Sequence, residues 1–416
     1  MQIKVPYGNG YQLAELSDDL NVQVIDPVCE AVTVKPETLI EEALDHPVGT
    51  ARLEEIVSSE DRVAIIVNDH TRPGPNAEIV SALLARLDQA GVPREQVEFI
   101  IATGSHRATT PAELDVILGP GIRETMKVHV HDCEDGEHTY LGETESGLPL
   151  WVDKRVAAAS FVITTGLIAP HHAAGFSGGR KSIVPGVAGI ETLRIHHSLP
   201  IRPYEPAMGY FEDNPFHLAA LEAARKVNVR FIVNMVQDTH KQNIGCVAGD
   251  LEAAHLAGVA QSRAVNEVKI GELADVVVTS PGGSPRDCNL YQAQKALSVA
   301  EVFGKKGACT FILCARAEDG IGEGLFREWL VQAKSAQEVI ERFRREGYNV
   351  GSNKAFMYAR ALTKGRVVIV SENVSPDELK EMMLDWAPDL QTALDRYVKP
   401  EHKVIVLPKA VNLIPV

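Results

Sequence analysis

Residues 62–103 read RVAIIVNDHTRPGPNAEIVSALLARLDQAGVPREQVEFIIAT, and the fold class follows from how that stretch alternates. The run RVAIIVN (62–68) is short and unbrokenly apolar, as a strand covered on both faces must be. A polar loop stiffened by Pro73 and Pro75 follows. In NAEIVSALLARLDQAG (76–91), Ile79, Leu83, Leu84 and Leu87 then line one helical stripe, and Gly91 ends the helix. VEFIIAT (97–103) is a second covered strand. Similar runs recur at 160–166, 230–236, 275–281, 308–314, 366–371 and 403–408. Strands alternating with amphipathic helices predict an α/β protein of two doubly wound α/β domains, with the active site in the cleft between them. A fresh series of strands begins at Asp275. The expected units are therefore 1–270 and 271–400, with the last strand and tail, 401–416, returning toward the first.

Composition narrows the function. The chain has 416 residues, 41 Lys plus Arg against 56 Asp plus Glu, and a net charge of −15. Such a chain is a poor nucleic-acid binder, because phosphate contacts need clustered cations. An anionic substrate would need local cations to reverse the long-range field. The N-terminus lacks the apolar core of a signal peptide, and no apolar run is long enough to span a membrane, so a cytoplasmic protein is expected. Cys29, Cys133, Cys246, Cys288, Cys309 and Cys314 are widely spread, as expected of reduced thiols.

Ligands in such folds collect beyond the carboxyl ends of strands. Four stretches lie there. N-D-H-T-R-P (68–73) offers Asp69, His70 and Arg72, either as a capped turn or with Arg72 as a fork for an anion. A-T-G-S-H-R (102–107) projects His106 from a strand end that Gly104 lets turn sharply. A-P-H-H-A-A-G-F-S-G-G-R-K-S-I-V-P-G (169–186) gathers His171, His172, Arg180 and Lys181 around Gly175, Ser177, Gly178 and Gly179. Its glycines suggest a cradle of backbone amides for an anion, although the spacing is not that of a P-loop. L-Y-Q-A-Q-K (290–295) opens a helix that places Tyr291 and Lys295 on one face beside Gln292.

Two further groups resemble metal sites less closely. His129, His131 and Cys133 alternate along H-V-H-D-C and either share a face or mark an exposed edge strand. The adjacent pair His196 and His197 has diverging side chains, so one ion would take at most one of them. In S-L-P-I-R-P-Y-E-P (198–206), Arg202 is expected in solvent, with a second substrate carboxylate as the alternative.

Taken in order, D-H-T-R-P, T-G-S-H-R, the 169–186 loop, I-H-H-S and L-Y-Q-A-Q-K resemble the nickel-dependent lactate racemase family over nearly the whole chain. The resemblance implies a nickel-pincer nucleotide, a pyridinium thioamide thiocarboxylic acid mononucleotide carrying nickel. Lys181 would tether it and His197, rather than His196, would ligate the nickel. His106 and His171, rather than His172, would be the acid/base pair. Asp69, Arg72, Gly175, Ser177, Gly178 and Gly179 would support the cofactor, and Arg72, Tyr291, Gln292 and Lys295 would hold a small 2-hydroxy acid. The activity implied is racemisation or epimerisation by proton-coupled hydride transfer through a 2-keto acid, after activation by cofactor-biosynthesis proteins. Histidine suits the proton work, since it both takes and returns a proton near neutral pH. Two alternatives share parts of this pattern. An NAD-dependent 2-hydroxy acid dehydrogenase should show G-x-G-x-x-G opening a helix, which A-G-F-S-G-G does not satisfy. A non-catalytic nickel or cofactor carrier would have no use for the two further histidines.

Overall fold

The computed structural model describes residues 1–26, 34–238, 240 and 242–416; Cys29 lies outside them. Two six-stranded sheets form the framework. The first runs in the order Asn243–Gly249, Val229–Gln237, Phe161–Ile168, Val63–Asn68, Val97–Ala102, Lys127–Val130. All its neighbours are parallel except the antiparallel edge strand Asn243–Gly249. The second is parallel throughout, in the order Asp385–Ala387, Gly365–Val370, Cys309–Cys314, Val276–Thr279, Lys403–Leu407, Asn21–Val24. The apolar runs become the inner strands because helices cover both faces. Val63, Ile65 and Val67 pack on the side of the helix Asn76–Gln89, and Ala64 and Ile66 on the other. Removing such side chains from water supplies about 25 cal/mol per Å² of apolar surface.

The sheet order carries the first strands of the expected 1–270 unit across to the second sheet. The hairpin of Gln2–Tyr7 and Gly10–Glu15 buries Ile3, Val5 and Tyr7 against Val276, Val278 and Ile312 of the second sheet, which the strand Asn21–Val24 completes. The tail crosses the other way. Ile414–Pro415 pairs with Glu267–Val268, and Ile414 packs with Ile168 and Phe176 of the first unit. Each unit thus clasps the other. Among the described residues no helix is long and apolar enough to cross a membrane, and the described cysteines are unpaired.

Candidate active site

The strand Val63–Asn68 delivers Asp69 into the cleft, almost wholly buried. The neighbouring strand Val97–Ala102 ends at Gly104, whose φ of 57° turns the chain so that His106 comes back over Asp69. Nδ1 of His106 lies 2.8 Å from Oδ2 of Asp69. The other carboxylate oxygen accepts from the Thr71 hydroxyl at 2.7 Å and the Thr71 amide at 3.2 Å. Arg72 in turn donates to the Thr71 hydroxyl at 3.1 Å. Burial raises the Asp69 carboxyl, but the bond and charge of His106, with Thr71 and Arg72, outweigh it and hold it below the usual carboxylate range. An ionised Asp69 requires Nδ1–H on His106, which leaves Nε2 as a free lone pair, the arrangement of a general base.

The glycine-rich loop leaves the strand Phe161–Ile168 and folds back on it. Ser177 donates from Oγ to the Leu167 carbonyl at 2.7 Å and accepts from the Ala169 amide. A Cβ on Gly175 would sit 2.2 Å from the Tyr210 carbonyl, and one on Gly178 would strike Asn234 and Ile168. The amide of Gly179 donates to Asn234. These glycines serve close packing of the loop. Arg180 is not an anion ligand but is buried beneath the loop. It donates to the carbonyls of Ala174, Phe176, Ser177 and Gly178 and lies 2.8 Å from His255. So pinned, the loop presents Lys181. Ser177, Gly178 and Lys181 line one pocket with Asp69, Arg72 and His106.

Across that pocket His171 is held the opposite way to His106. The amides of Ala173 and Ala174 both donate to its Nδ1 at 3.1 Å. Its proton must therefore sit on Nε2, 3.3 Å from Nζ of Lys181. Burial, then the charges of Lys181, His172, Arg72 and Lys295, holds His171 well below its ordinary value. Burial, with Arg72, Arg180, Arg202 and Lys295, likewise holds Lys181 well below its ordinary value. Phe216 floors this region and was not found from the sequence. Its ring lies 5.6 Å below Lys181 Nζ and 5.0 Å from the His197 ring, and its carbonyl accepts from Nε2 of His196. The signal was present in N-P-F, where Asn214 caps the helix Pro215–Lys226 and ties it to the Ala173 carbonyl. Nε2 of His196 is thus engaged in structure, while Nδ1 of both His196 and His197 is buried without a partner.

The second unit supplies the facing wall. Asn289 caps the helix Leu290–Phe303 and sets Tyr291, Gln292 and Lys295 at its start, with Lys295 donating to Gln292 at 3.0 Å. Burial, with Arg72 and Arg286 beside it, brings the Lys295 ammonium down to about 7. Tyr348 reaches across the cleft, its hydroxyl 3.3 Å from Ser105 and its ring 5.0 Å from that of His197. Arg202, expected in solvent, is 2 % exposed, because the helix Ser352–Lys364 of the second unit packs over it. Lys354 on that helix and Arg286 before the Leu290 helix were also missed. Arg72, Lys181, Arg202, Arg286, Lys295 and Lys354 gather in this cleft without one ion pair to a described carboxylate. In a chain of net charge −15 that is a focused site for anions.

The other grouped histidines do not converge. His129 faces Glu98 at 3.2 Å on the edge strand, while His131 is buried against Asp153 and the Ala188 carbonyl. No group of three potential ligands among the described residues forms a metal site there or elsewhere.

Fold and site together define a two-unit α/β protein whose cleft gathers buried cations around two histidines. The chain matches the lactate racemase N-terminal domain over residues 7–209 and the lactate racemase C-terminal domain over 270–415. It is 32 % identical to the lactate racemase of Thermoanaerobacterium thermosaccharolyticum, with 99 % of this chain and 98 % of that one aligned. Identity to the lactate racemase of Lactiplantibacillus plantarum is also 32 %, over 99 % of both chains. The structure of the Thermoanaerobacterium lactate racemase apoprotein superposes with a TM-score of 0.90 over the whole of both chains. A Thermotoga maritima protein, 16 % identical, shares the fold over 91 % of this chain and 98 % of its own, with a TM-score of 0.65. The chain belongs to the lactate racemase family and is an isomerase of the racemase class.

Proposed function

We infer that this chain racemises a small 2-hydroxy acid in the cytoplasm, with a nickel-pincer nucleotide tethered to Lys181 after action by cofactor-biosynthesis proteins. The observation that carries the reading is the cleft itself: buried cations without carboxylate partners, set around two histidines of opposite tautomer. The residues fit such a group. Lys181 is a buried amine that burial and neighbouring cations push toward the neutral form a thioamide tether requires. His197 has a buried, unbonded ring nitrogen and a neutral imidazole, the state in which histidine ligates a metal. Arg72 and the Ser177–Gly178 turn flank the pocket into which Lys181 opens, where a phosphate would be neutralised. When bound, the group accepts and returns a hydride.

The protein's part is binding, orientation and proton movement. Lys295 and Arg72 hold the carboxylate, with Gln292 and Tyr291 fixing its orientation. Nε2 of His106 takes the hydroxyl proton of one enantiomer, and Asp69 stabilises the resulting imidazolium. Nε2–H of His171 faces the oxygen from the other side. Loss of hydride and hydroxyl proton leaves a flat 2-keto acid, which turns and regains both on its other face. A carbanion route would call for hard divalent ions on several carboxylates, which this donor set does not resemble.

The test is protein made in a cell that also makes the cofactor. The Lys181 peptide should carry an added mass that Lys181→Ala abolishes, and the loaded protein should interconvert the enantiomers of a 2-hydroxy acid. An unmodified Lys181 in such protein would remove the tether. A modified Lys181 without turnover on any 2-hydroxy acid would leave a carrier instead.

A further inference from the structure

The cations of the cleft fall into two arms by the ring each acts on most, His171 and His172 being stacked with centroids 4.6 Å apart. Burial is the largest influence on both; after it the cations acting on His171 are Lys181, Arg72 and Lys295, and those on His172 are Lys354 and Arg202 ahead of Lys295 and Lys181. The first arm suffices for the carboxylate beside the reacting hydroxyl. The second has no anion to hold. Arg202 is buried, donates only to the Met357 thioether, and leaves its Nε buried without a partner. A thioether is a weak acceptor, so most of the guanidinium fork is unsatisfied. Lys354 is 4 % exposed, donates only to Gln294 at 3.3 Å, and stands 5.1 Å over the Tyr291 ring. Neither lies within ion-pair distance of a described carboxylate. A substrate ending in a methyl group would leave both charges buried and unpaired, a costly arrangement.

We propose that Arg202 and Lys354 bind a second carboxylate, so that the substrate is a 2-hydroxy dicarboxylic acid. This rests on the racemase reading above and names the substrate of that same site. Arg202 supplies the bidentate fork and Lys354 a point charge beside it. The prolines flanking Arg202, at 200 and 203, and the bond that the Tyr348 amide donates to the Ser198 hydroxyl stiffen the loop that carries it.

Binding can be separated from turnover with acids that lack the hydroxyl. Cofactor-loaded protein is titrated calorimetrically with succinate and glutarate, and with propionate and butyrate. At least one dicarboxylate should bind more than tenfold more tightly than either monocarboxylate. Arg202→Leu should abolish that preference, a loss of roughly 100-fold where the pair is well formed. Arg202→Lys, which keeps the charge and guards against a merely misfolded variant, should retain part of it, and Lys354→Met should weaken it. The mass of the Lys181 peptide should be the same in all of them. Equal binding of mono- and dicarboxylates would overturn the proposal. So would an Arg202→Leu protein that keeps the preference but loses the Lys181 adduct, since Arg202 would then serve the nucleotide phosphate. If dicarboxylates bind through Arg202 yet no 2-hydroxy acid is racemised, the second carboxylate site stands and the 2-hydroxy acid substrate falls.

Discussion

His106 and His171 offer the same side chain to one cleft, but their Nδ1 atoms are held by opposite partners. A carboxylate 2.8 Å away makes Nδ1 of His106 a donor and frees Nε2 to take a proton. Two amides at 3.1 Å make Nδ1 of His171 an acceptor and put the proton on Nε2. The His106 side chain is 40 % exposed, while burial first, and then the cations around it, hold His171 well below its ordinary value. A racemase must be symmetric in energy, because its two substrates have equal free energies, but its site need not be symmetric in structure. The equality obliges kcat/KM to match in the two directions at every pH. It leaves kcat and KM free to differ separately, and the unlike tautomers make that difference the expected outcome.

The largest effect should come from making His106 resemble His171. Asp69→Asn places an amide where the carboxylate accepts, favouring the tautomer with Nε2–H. Racemisation should fall by about 10⁴-fold with little change in Tm, measured by chiral assay of both enantiomers. His171→Gln, which removes the other proton carrier, should cost about 10²–10⁴-fold. In both variants kcat/KM must fall equally in the two directions, whereas the ratio of the two kcat values should change. The shared anion arm is tested by pH. Lys295 is cationic below about 7 and loses its charge above it, so substrate binding weakens as pH rises. KM should climb by up to about tenfold per unit above that point, from loss of a charge pair. Lys295→Arg should move the rise to higher pH. The smallest effect should be Thr71→Val, which removes one hydrogen bond from Asp69 and should lower kcat about tenfold without affecting the Lys181 adduct.

Much of the architecture was legible because inner parallel strands must be apolar on both faces. Val63–Asn68, Phe161–Ile168 and Cys309–Cys314 lie within two residues of where their runs predict them. The strand Asn21–Val24 was not legible. Its sequence, NVQV, lies mostly in solvent at a sheet edge, and nothing local ties it to a partner strand nearly four hundred residues away. The same limit applies to the site. Asp69, His106 and Lys181, which line one pocket, were singled out because strand ends gather function. The tautomers depend on a carboxylate 37 residues from His106 and on two amides of a turn, which no motif encodes. Arg202 was misread for a related reason. A cation between prolines suggests solvent, until the helix Ser352–Lys364 closes over it.

The measurement that bears most directly on this account is the fate of the α-hydrogen. Cofactor-loaded protein would be given a single enantiomer of its 2-hydroxy acid, deuterated at C2, in ordinary water, and both enantiomers analysed for label after racemisation. If His106 and His171 handle only the hydroxyl proton, the deuterium remains on C2 of both. Its release to water would mean that one of the histidines removes the α-hydrogen as a proton, which would contradict the roles assigned to them.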